Sequence, residues 1–180
     1  MPLATRRLTN PRKFETLRLY GSVVFIPKST TSHAQPLTIK NKDYLLPPDT
    51  WVTANSQALH TNPKIWGSDA LVWRPERWLT PNPDINTSET ETFIDPPKGT
   101  YVPWAEGPRA CLGRKFAQVE FVAVMAVLFR KHRVRPALLK GESAVRTRER
   151  LVSMVDESGI FAISLQMERP GSVPLVWREV

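Results

Sequence analysis

The sequence has a single cysteine, Cys111, among its 180 residues. A lone cysteine excludes an internal disulfide framework and any zinc site built from cysteine pairs, and a reducing compartment is the simplest interpretation. Long apolar runs are also missing, since the longest, residues 121–129, is about half of the roughly 20 residues that span a bilayer. The N-terminus has no apolar signal-peptide core. We therefore expect neither a transmembrane helix nor a signal peptide in this sequence.

Glycine is scarce, with 8 residues, whereas there are 17 prolines. This balance favours ordered turns and loops over flexible linkers. The remaining composition, 41% apolar and 23% charged, is typical of a globular chain. Lys and Arg number 25 against 17 Asp and Glu, and the resulting net charge of +8 favours acidic partners without indicating nucleic acid.

Local patterns predict a mixed chain of helices and short strands. Pro11 and Gly21 delimit a short helix over 12–20, and Pro63 is placed to begin another. A small β-sheet is expected from four runs: 23–26, which Pro27 should end, a hairpin of 37–40 and 44–46 about the polar turn 41–43, and 51–53.

The second half of the sequence contains the strongest helix signal. Residues 80–100, rich in Pro, Thr, Ser and Asn, should form an irregular meander. Residues 112–132 lack proline and become almost entirely apolar, which predicts a long helix buried on most sides. The basic tract 130–150 is interpreted as solvated surface, and 151–176 as hairpins near Ser158-Gly159 and Pro170-Gly171.

The lone cysteine occupies a Gly- and Pro-rich loop that leads directly into the predicted long helix. Unpaired backbone N–H groups and the positive dipole at a helix start both favour a thiolate there. Gly107 permits a positive φ, and Gly113 would let a flat partner approach the helix. Arg109 adds a cation two residues from Cys111. A buried, inert cysteine before a core helix is the alternative.

Residues Trp104 to Gly113 read aromatic-x-x-Gly-x-Arg-x-Cys-x-Gly. This run resembles the haem-binding signature of the cytochrome P-450 haem-thiolate monooxygenases, in which the aromatic place is usually Phe but often Trp in fungal members. The resemblance implies that Cys111 is the axial ligand of the iron of haem b, that Arg109 pairs a haem propionate and that Trp104 packs beside the sulfur. In this family the thiolate pushes electron density into the iron and favours O–O cleavage.

Three further motifs follow the family order. Glu15-x-x-Arg18 and Trp73-x-Pro-Glu-Arg77-Trp resemble the two motifs whose side chains form a structural triad, which implies that Glu15, Arg18 and Arg77 meet. His60-x-x-Pro-x-x-Trp also resembles a family stretch, although a loop or capping role for His60 is preferred. Lys28 stands near the place where many members direct an Arg at a propionate.

The resemblance implies an α+β, mainly α fold that is the C-terminal portion of the family fold, with 1–180 an incomplete single domain. The oxygen-binding helix with its acid–alcohol pair is not found, and we assign no catalytic residue. We therefore expect the long helix to expose part of its apolar face and this chain alone to be inactive.

For the intact protein, the resemblance implies oxidation of a small organic substrate with O2 and electrons from an NADPH-dependent flavoprotein reductase, with no nucleic acid. Eukaryotic members are usually anchored in the endoplasmic reticulum membrane, but this sequence itself indicates no localisation. The competing hypothesis is a small basic binding module, without enzymatic activity, in which Cys111 is inert.

Overall fold

A computed structural model describes residues 3–80, 92–161 and 165–180. The helices of these residues are α1 Leu3–Tyr20, α2 Ser56–His60, α3 Pro63–Trp66, α4 Arg114–Lys131 and α5 Ala144–Glu157. The strands are β1 Phe25–Ser29, β2 Gln35–Ile39, β3 Lys42–Leu46, β4 Trp51–Asn55, β5 His132–Pro136, β6 Gly159–Phe161, β7 Leu165–Met167 and β8 Leu175–Glu179. Short 3-10 helices occupy Pro75–Trp78 and Pro170–Ser172.

Helix α1 begins nine residues earlier than the sequence predicted. It runs from Leu3 to Tyr20 with Pro11 inside it. Proline is common at helix starts, but its own φ is helical and its missing donor removes one backbone hydrogen bond. The helix therefore continues through Pro11, whose φ fits, at the cost of one backbone hydrogen bond.

The predicted small sheet is instead a set of separate two-stranded sheets within the described residues. Strand β1 pairs with β4, and Pro27 lies inside β1 opposite Thr53, so the prediction that it ends the strand was wrong. A proline nitrogen can face outward from an edge strand, where no ladder hydrogen bond is lost.

The β2–β3 hairpin is confirmed, with a tighter turn than expected. Its loop is Lys40-Asn41, and both residues have positive φ values, 49° and 61°. Two consecutive left-handed residues are typical of a type I′ turn, whose twist matches that of the flanking strands.

Helix α4 is present where a long helix was predicted, but the prediction that it is buried on most sides was wrong. Val122 is its buried side chain, whereas Phe116 is 71% and Val119 69% exposed. α1 and β5 cover only part of the helix surface. The companion prediction, that α4 exposes part of its apolar face, is confirmed.

Helix α5 and strand β5 were missed, because the tract 130–150 was interpreted as plain basic surface. The Ser143 side chain accepts a hydrogen bond from the Arg146 N–H and so begins α5, which buries Thr147 and Leu151. Strand β5 pairs with β8, and the expected hairpin after Ser158 is formed by β6 and β7. Pro170-Gly171 lies in a 3-10 helix, not in a hairpin turn.

An aromatic cluster forms the core around Trp78, which is 2% exposed. The Trp78 ring lies 5.8 Å from that of Phe93 and 4.8 Å from that of Tyr101. Phe14 on α1 contacts the same rings and also Trp104 in the cysteine loop. This cluster therefore packs α1 against the loop. Within residues 3–80, 92–161 and 165–180, no helix is both long enough and apolar enough to cross a membrane.

Candidate functional site

A fully buried carboxylate, that of Glu15, lies at the centre of a charge network. Arg18 donates to both of its oxygens, at 2.9 Å from Nε and 2.8 Å from Nη2, and Arg77 Nε donates to Oε1 at 2.9 Å. The Trp78 indole N–H and the Arg74 backbone N–H add two more bonds of 2.9 Å. The structure therefore brings together the three residues of the expected triad.

Burial opposes ionisation of Glu15, but these donors outweigh it. The hydrogen bonds from Arg18, from the Arg74 backbone and from Trp78 hold the pKa of the Glu15 carboxyl below its ordinary value. The carboxylate is thus anionic at neutral pH and can balance part of the charge of both guanidinium groups.

The two arginines also bind backbone carbonyls of the segment that follows α2. Arg18 Nη1 donates to the carbonyls of His60 at 2.7 Å and Ala70 at 2.6 Å. Arg77 donates to the Trp66 carbonyl at 3.2 Å. A planar guanidinium with five donors can satisfy more such acceptors at once than the three donors of a lysine. The network therefore fixes residues 60–78 to α1.

His60 connects this network to the chain that leads into the cysteine loop. It is the last residue of α2 and is buried, and its Nε2 accepts a 2.9 Å hydrogen bond from the Val102 backbone N–H. Neither a loop nor a capping role describes it. Sequence reasoning missed the contact because the partners are 42 residues apart.

His60 should make folding stability depend on pH. Burial, with the Arg18 charge, lowers its pKa from 6.5 to about 4, so between these values the unfolded chain binds a proton that the folded chain does not. The free energy of unfolding should therefore be greatest above pH 6.5 and should fall by about 2 kcal/mol between pH 7 and pH 5. Urea unfolding across this range measures it. In His60→Gln, whose amide oxygen can still accept from Val102, this loss should be absent, and an unchanged pH dependence would contradict the assignment.

Tyr101 is a second contact that the sequence did not indicate. Its hydroxyl donates to the Phe14 carbonyl at 3.2 Å, and its ring lies 5.3 Å from that of His60 and 6.2 Å from that of Trp104. Burial, with the Glu15 charge, raises the pKa of its hydroxyl, which stays protonated as a donor. Tyr101 therefore anchors the start of the cysteine loop to α1.

The cysteine loop is closed by its own backbone. The Cys111 N–H donates to the Trp104 carbonyl at 2.9 Å, and the Ala110 N–H donates to the Gly107 carbonyl at 3.1 Å. Gly107 has φ +85°, the left-handed conformation that glycine adopts without strain. The guanidinium of Arg114 lies over the Trp104 ring at 5.2 Å. The loop thus has a defined shape that ends at an exposed Cys111 side chain.

The surface around the thiol suits a flat apolar prosthetic group. Gly113 caps α4 without a side chain, and a Cβ there would lie 3.7 Å from the Cys111 sulfur. Leu112, the residue after Cys111, is fully exposed, and Phe116 in the first turn of α4 is largely so, which leaves apolar side chains uncovered on this part of the chain. The described residues contain no cluster of three His, Cys, Asp or Glu side chains that could hold a metal ion. A haem iron needs a single protein ligand, and an exposed thiol at a helix start can supply it.

The two residues expected to pair with haem propionates, Arg109 and Lys28, are not part of the hydrogen-bond network around Glu15 in the described residues. Arg109 is exposed on the loop, and Lys28 is exposed on β1 opposite Val52. No ion pair is found for either among the described residues. Their side chains are therefore free to meet an anionic group.

Comparison with known proteins supports the same assignment. The family model for Cytochrome P450 matches residues 13–159. The phomenoic acid biosynthesis cluster cytochrome P450 monooxygenase of Leptosphaeria maculans is 34% identical over 146 residues, which are 72% of this chain and 24% of that protein. Cytochrome P450 monooxygenase 91 of Postia placenta is 39% identical over 127 residues, 63% of this chain and 22% of that one. This chain thus spans about a quarter of the length of these relatives.

Solved structures agree on the fold. The cytochrome P450 CYP102L1 superposes with a TM-score of 0.65 at 24% identity, over 98% of this chain and 32% of that one. The retinoic acid bound cyanobacterial CYP120A1 gives 0.64 at 19% identity, over 95% and 32%. The expected α+β, mainly α architecture of the C-terminal portion of that fold, and the resemblance to fungal members, are both confirmed. This chain belongs to the cytochrome P450 family.

Proposed function

We propose that this chain carries the haem-ligating portion of a cytochrome P450 monooxygenase, with Cys111 as the thiolate ligand of the iron of haem b. The observation that carries the proposal is the exposed Cys111 thiol at the start of α4, in a loop closed by the 2.9 Å bond from its own N–H to Trp104. The family match supports the cofactor.

The chain's residues have separate roles at this site. Cys111, two residues before the N-cap of α4, offers its exposed sulfur to the iron. Arg109 offers a planar guanidinium to one haem propionate, and Lys28 offers a point charge to a propionate. Trp104 packs beside the sulfur, and Gly107 shapes the loop. When bound, the haem supplies the chemistry that activates dioxygen.

Glu15, Arg18 and Arg77 are positioning residues in this proposal. The path from the sulfur back to them runs through Val102, whose N–H bonds His60, and through the His60 carbonyl, which Arg18 binds. Groups held by several charge-assisted hydrogen bonds lose little further entropy when a ligand binds. The network therefore fixes the start of the cysteine loop before haem arrives.

For the intact protein we propose a small organic substrate and electrons from an NADPH-dependent flavoprotein reductase. This chain alone, an incomplete domain in the proposal, does not oxidise substrate. Two observations support this. The chain spans about a quarter of the length of its relatives, and Phe116 and Val119 of α4 are exposed to solvent. A substrate pocket normally buries most of its ligand, which an open surface does not do.

Haem reconstitution of the purified chain tests the proposal. The chain is mixed with haem, reduced under carbon monoxide and examined for the red-shifted absorption band of thiolate-ligated haem. A stable band supports the assignment. Its absence favours a small basic binding module with an inert Cys111. Oxidation of a reporter substrate with NADPH and a reductase would contradict the predicted lack of turnover.

A methyl group at position 113 should weaken haem binding without unfolding the loop. In Gly113→Ala the new Cβ lies 3.7 Å from the Cys111 sulfur, an ordinary contact, but it occupies space that a flat ligand needs. We expect haem affinity to fall about tenfold, the cost of modest overpacking. Gly171→Ala is the matched control, because its Cβ meets nothing within 4 Å. Equal affinities for the two variants in a haem titration would refute this role of Gly113.

A further inference from the structure

A partly open cavity lies between the middle of α1, residues 93–106 and the first turns of α4. Its volume is about 630 Å³, which is within the range of roughly 300–1,000 Å³ that is usual for small-molecule sites. Cys111 and Gly113 are not among the described residues that line it. The cavity is therefore distinct from the surface to which we assign haem, and its occupation does not depend on haem binding.

One lysine that lines this cavity is buried. Lys13 on α1 has only 3% of its surface exposed, and its Nζ donates to the Asn10 Oδ1 at 3.1 Å and lies 4.8 Å from the centre of the Phe14 ring. In the part of the chain that the structure describes, it forms no ion pair with a carboxylate. Burial lowers the pKa of the Lys13 amine, because it disfavours the charged form. An anion in the cavity would supply the missing counter-charge.

The other charged residues that line the cavity are exposed, and their charges balance. Lys98 and Arg114 are cations, and Asp95 and Glu106 are acids, so the net charge of the lining is that of Lys13 alone. Exposed charges are screened by water and salt, whereas a buried one is screened much less. The buried ammonium group therefore determines which ligand fits, and a ligand with a single negative charge matches it.

Aromatic rings form another part of the wall. Phe14, Tyr101 and Trp104 all line the cavity. The centre of the Phe14 ring lies 5.5 Å from that of Tyr101 and 6.0 Å from that of Trp104. These rings already pack on one another, so little side-chain freedom is left to lose when a ligand binds. A flat aromatic body can contact their faces and edges.

We propose that this cavity binds a small aromatic carboxylate, and that the carboxylate group pairs with the ammonium group of Lys13. The Asn10 amide, whose oxygen accepts from Lys13, has two N–H donors that suit the second carboxylate oxygen. The aromatic body of the ligand contacts the rings of Phe14, Tyr101 and Trp104. The ligand thus combines the one charge and the flat apolar shape that the lining favours.

Calorimetric titration of the full chain with 2-naphthoate tests this. The chain should bind 2-naphthoate about 10- to 100-fold more tightly than 2-naphthylmethanol, which has the same rings and no charge, because hydrogen bonds to charged groups contribute factors of this size. The dianion 2-naphthyl phosphate should bind no more tightly than 2-naphthoate. Equal binding of 2-naphthoate and the alcohol would overturn the proposal, and so would tighter binding of the phosphate.

The variant Lys13→Met removes the charge but keeps the length of the side chain. Its affinity for 2-naphthoate should fall about 10- to 100-fold, and its affinity for 2-naphthylmethanol should not change. Lys64→Met is the matched control, because Lys64 is an exposed lysine of α3 that does not line the cavity. Equal affinities of the two variants for 2-naphthoate would overturn the proposal.

Two further measurements separate this site from a folding defect and from the haem surface. In urea unfolding, Lys13→Met should be at least as stable as the parent, because it removes a buried charge that has no counter-charge. A less stable Lys13→Met would show that the lysine has a structural role, which overturns the proposal. Added haem should leave 2-naphthoate bound. Displacement of 2-naphthoate by haem would place both ligands on one surface and would also overturn it.

Discussion

Replacing Glu15 by glutamine is expected to lower the free energy of unfolding by about 3–5 kcal/mol, the cost of removing one partner from a buried ion pair. The Glu15 side chain is fully buried and accepts five hydrogen bonds, from Arg18, Arg77, Trp78 and the Arg74 backbone. Glutamine keeps the volume but loses the charge, and its NH2 group faces donors. Two guanidinium groups would then lose their shared buried counter-charge.

Urea unfolding at pH 7, followed by far-UV circular dichroism, measures this loss. Glu168→Gln is the control, because Glu168 and Arg169 form an exposed ion pair at 4.0 Å. Exposed pairs contribute at most about 1 kcal/mol, so the control should unfold almost as the parent does. A Glu15→Gln protein within 1 kcal/mol of the parent would show that the network does not determine stability. If Glu15→Gln shows no cooperative unfolding transition in urea, the folded state has been lost and the prediction is also confirmed.

Replacing Cys111 by alanine should abolish the thiolate-ligated haem spectrum completely. Cys111 is the only thiol in the sequence, so no other side chain can supply a thiolate ligand. Its side chain is exposed, and the 2.9 Å bond that closes the loop comes from its backbone N–H, which alanine keeps. The loss should therefore reflect ligation and not unfolding.

The measurement is the reduced carbon monoxide spectrum of the parent and of Cys111→Ala after identical haem loading. Urea unfolding of the two proteins without haem is the control, and the free energies should agree within about 0.5 kcal/mol, as is usual for surface changes. Any haem that Cys111→Ala takes up should absorb at the shorter wavelength of a complex without a thiolate ligand. An identical band, or identical haem uptake, would favour the binding module with an inert cysteine.

The pattern-based predictions succeeded where a signal is contained in neighbouring residues. The β2–β3 hairpin and the long helix α4 are present, because turn residues and uninterrupted helix formers act over a few positions. They failed where packing decides. Helix α5 was missed because its arginines conceal the two buried positions, Thr147 and Leu151, one helical turn apart.

The sequence by itself determined the family, through the spacing of Trp104, Gly107, Arg109, Cys111 and Gly113 in one continuous loop. It also determined which charged residues could form the triad, Glu15, Arg18 and Arg77, because the two motifs that contain them are recognisable in the linear sequence. Only the tertiary structure decided that His60 joins Arg18 to the start of the cysteine loop, and how much of the α4 surface is exposed. The physical reason is that hydrogen bonds across 42 residues and the burial of a helix depend on what packs against it, which local sequence does not specify.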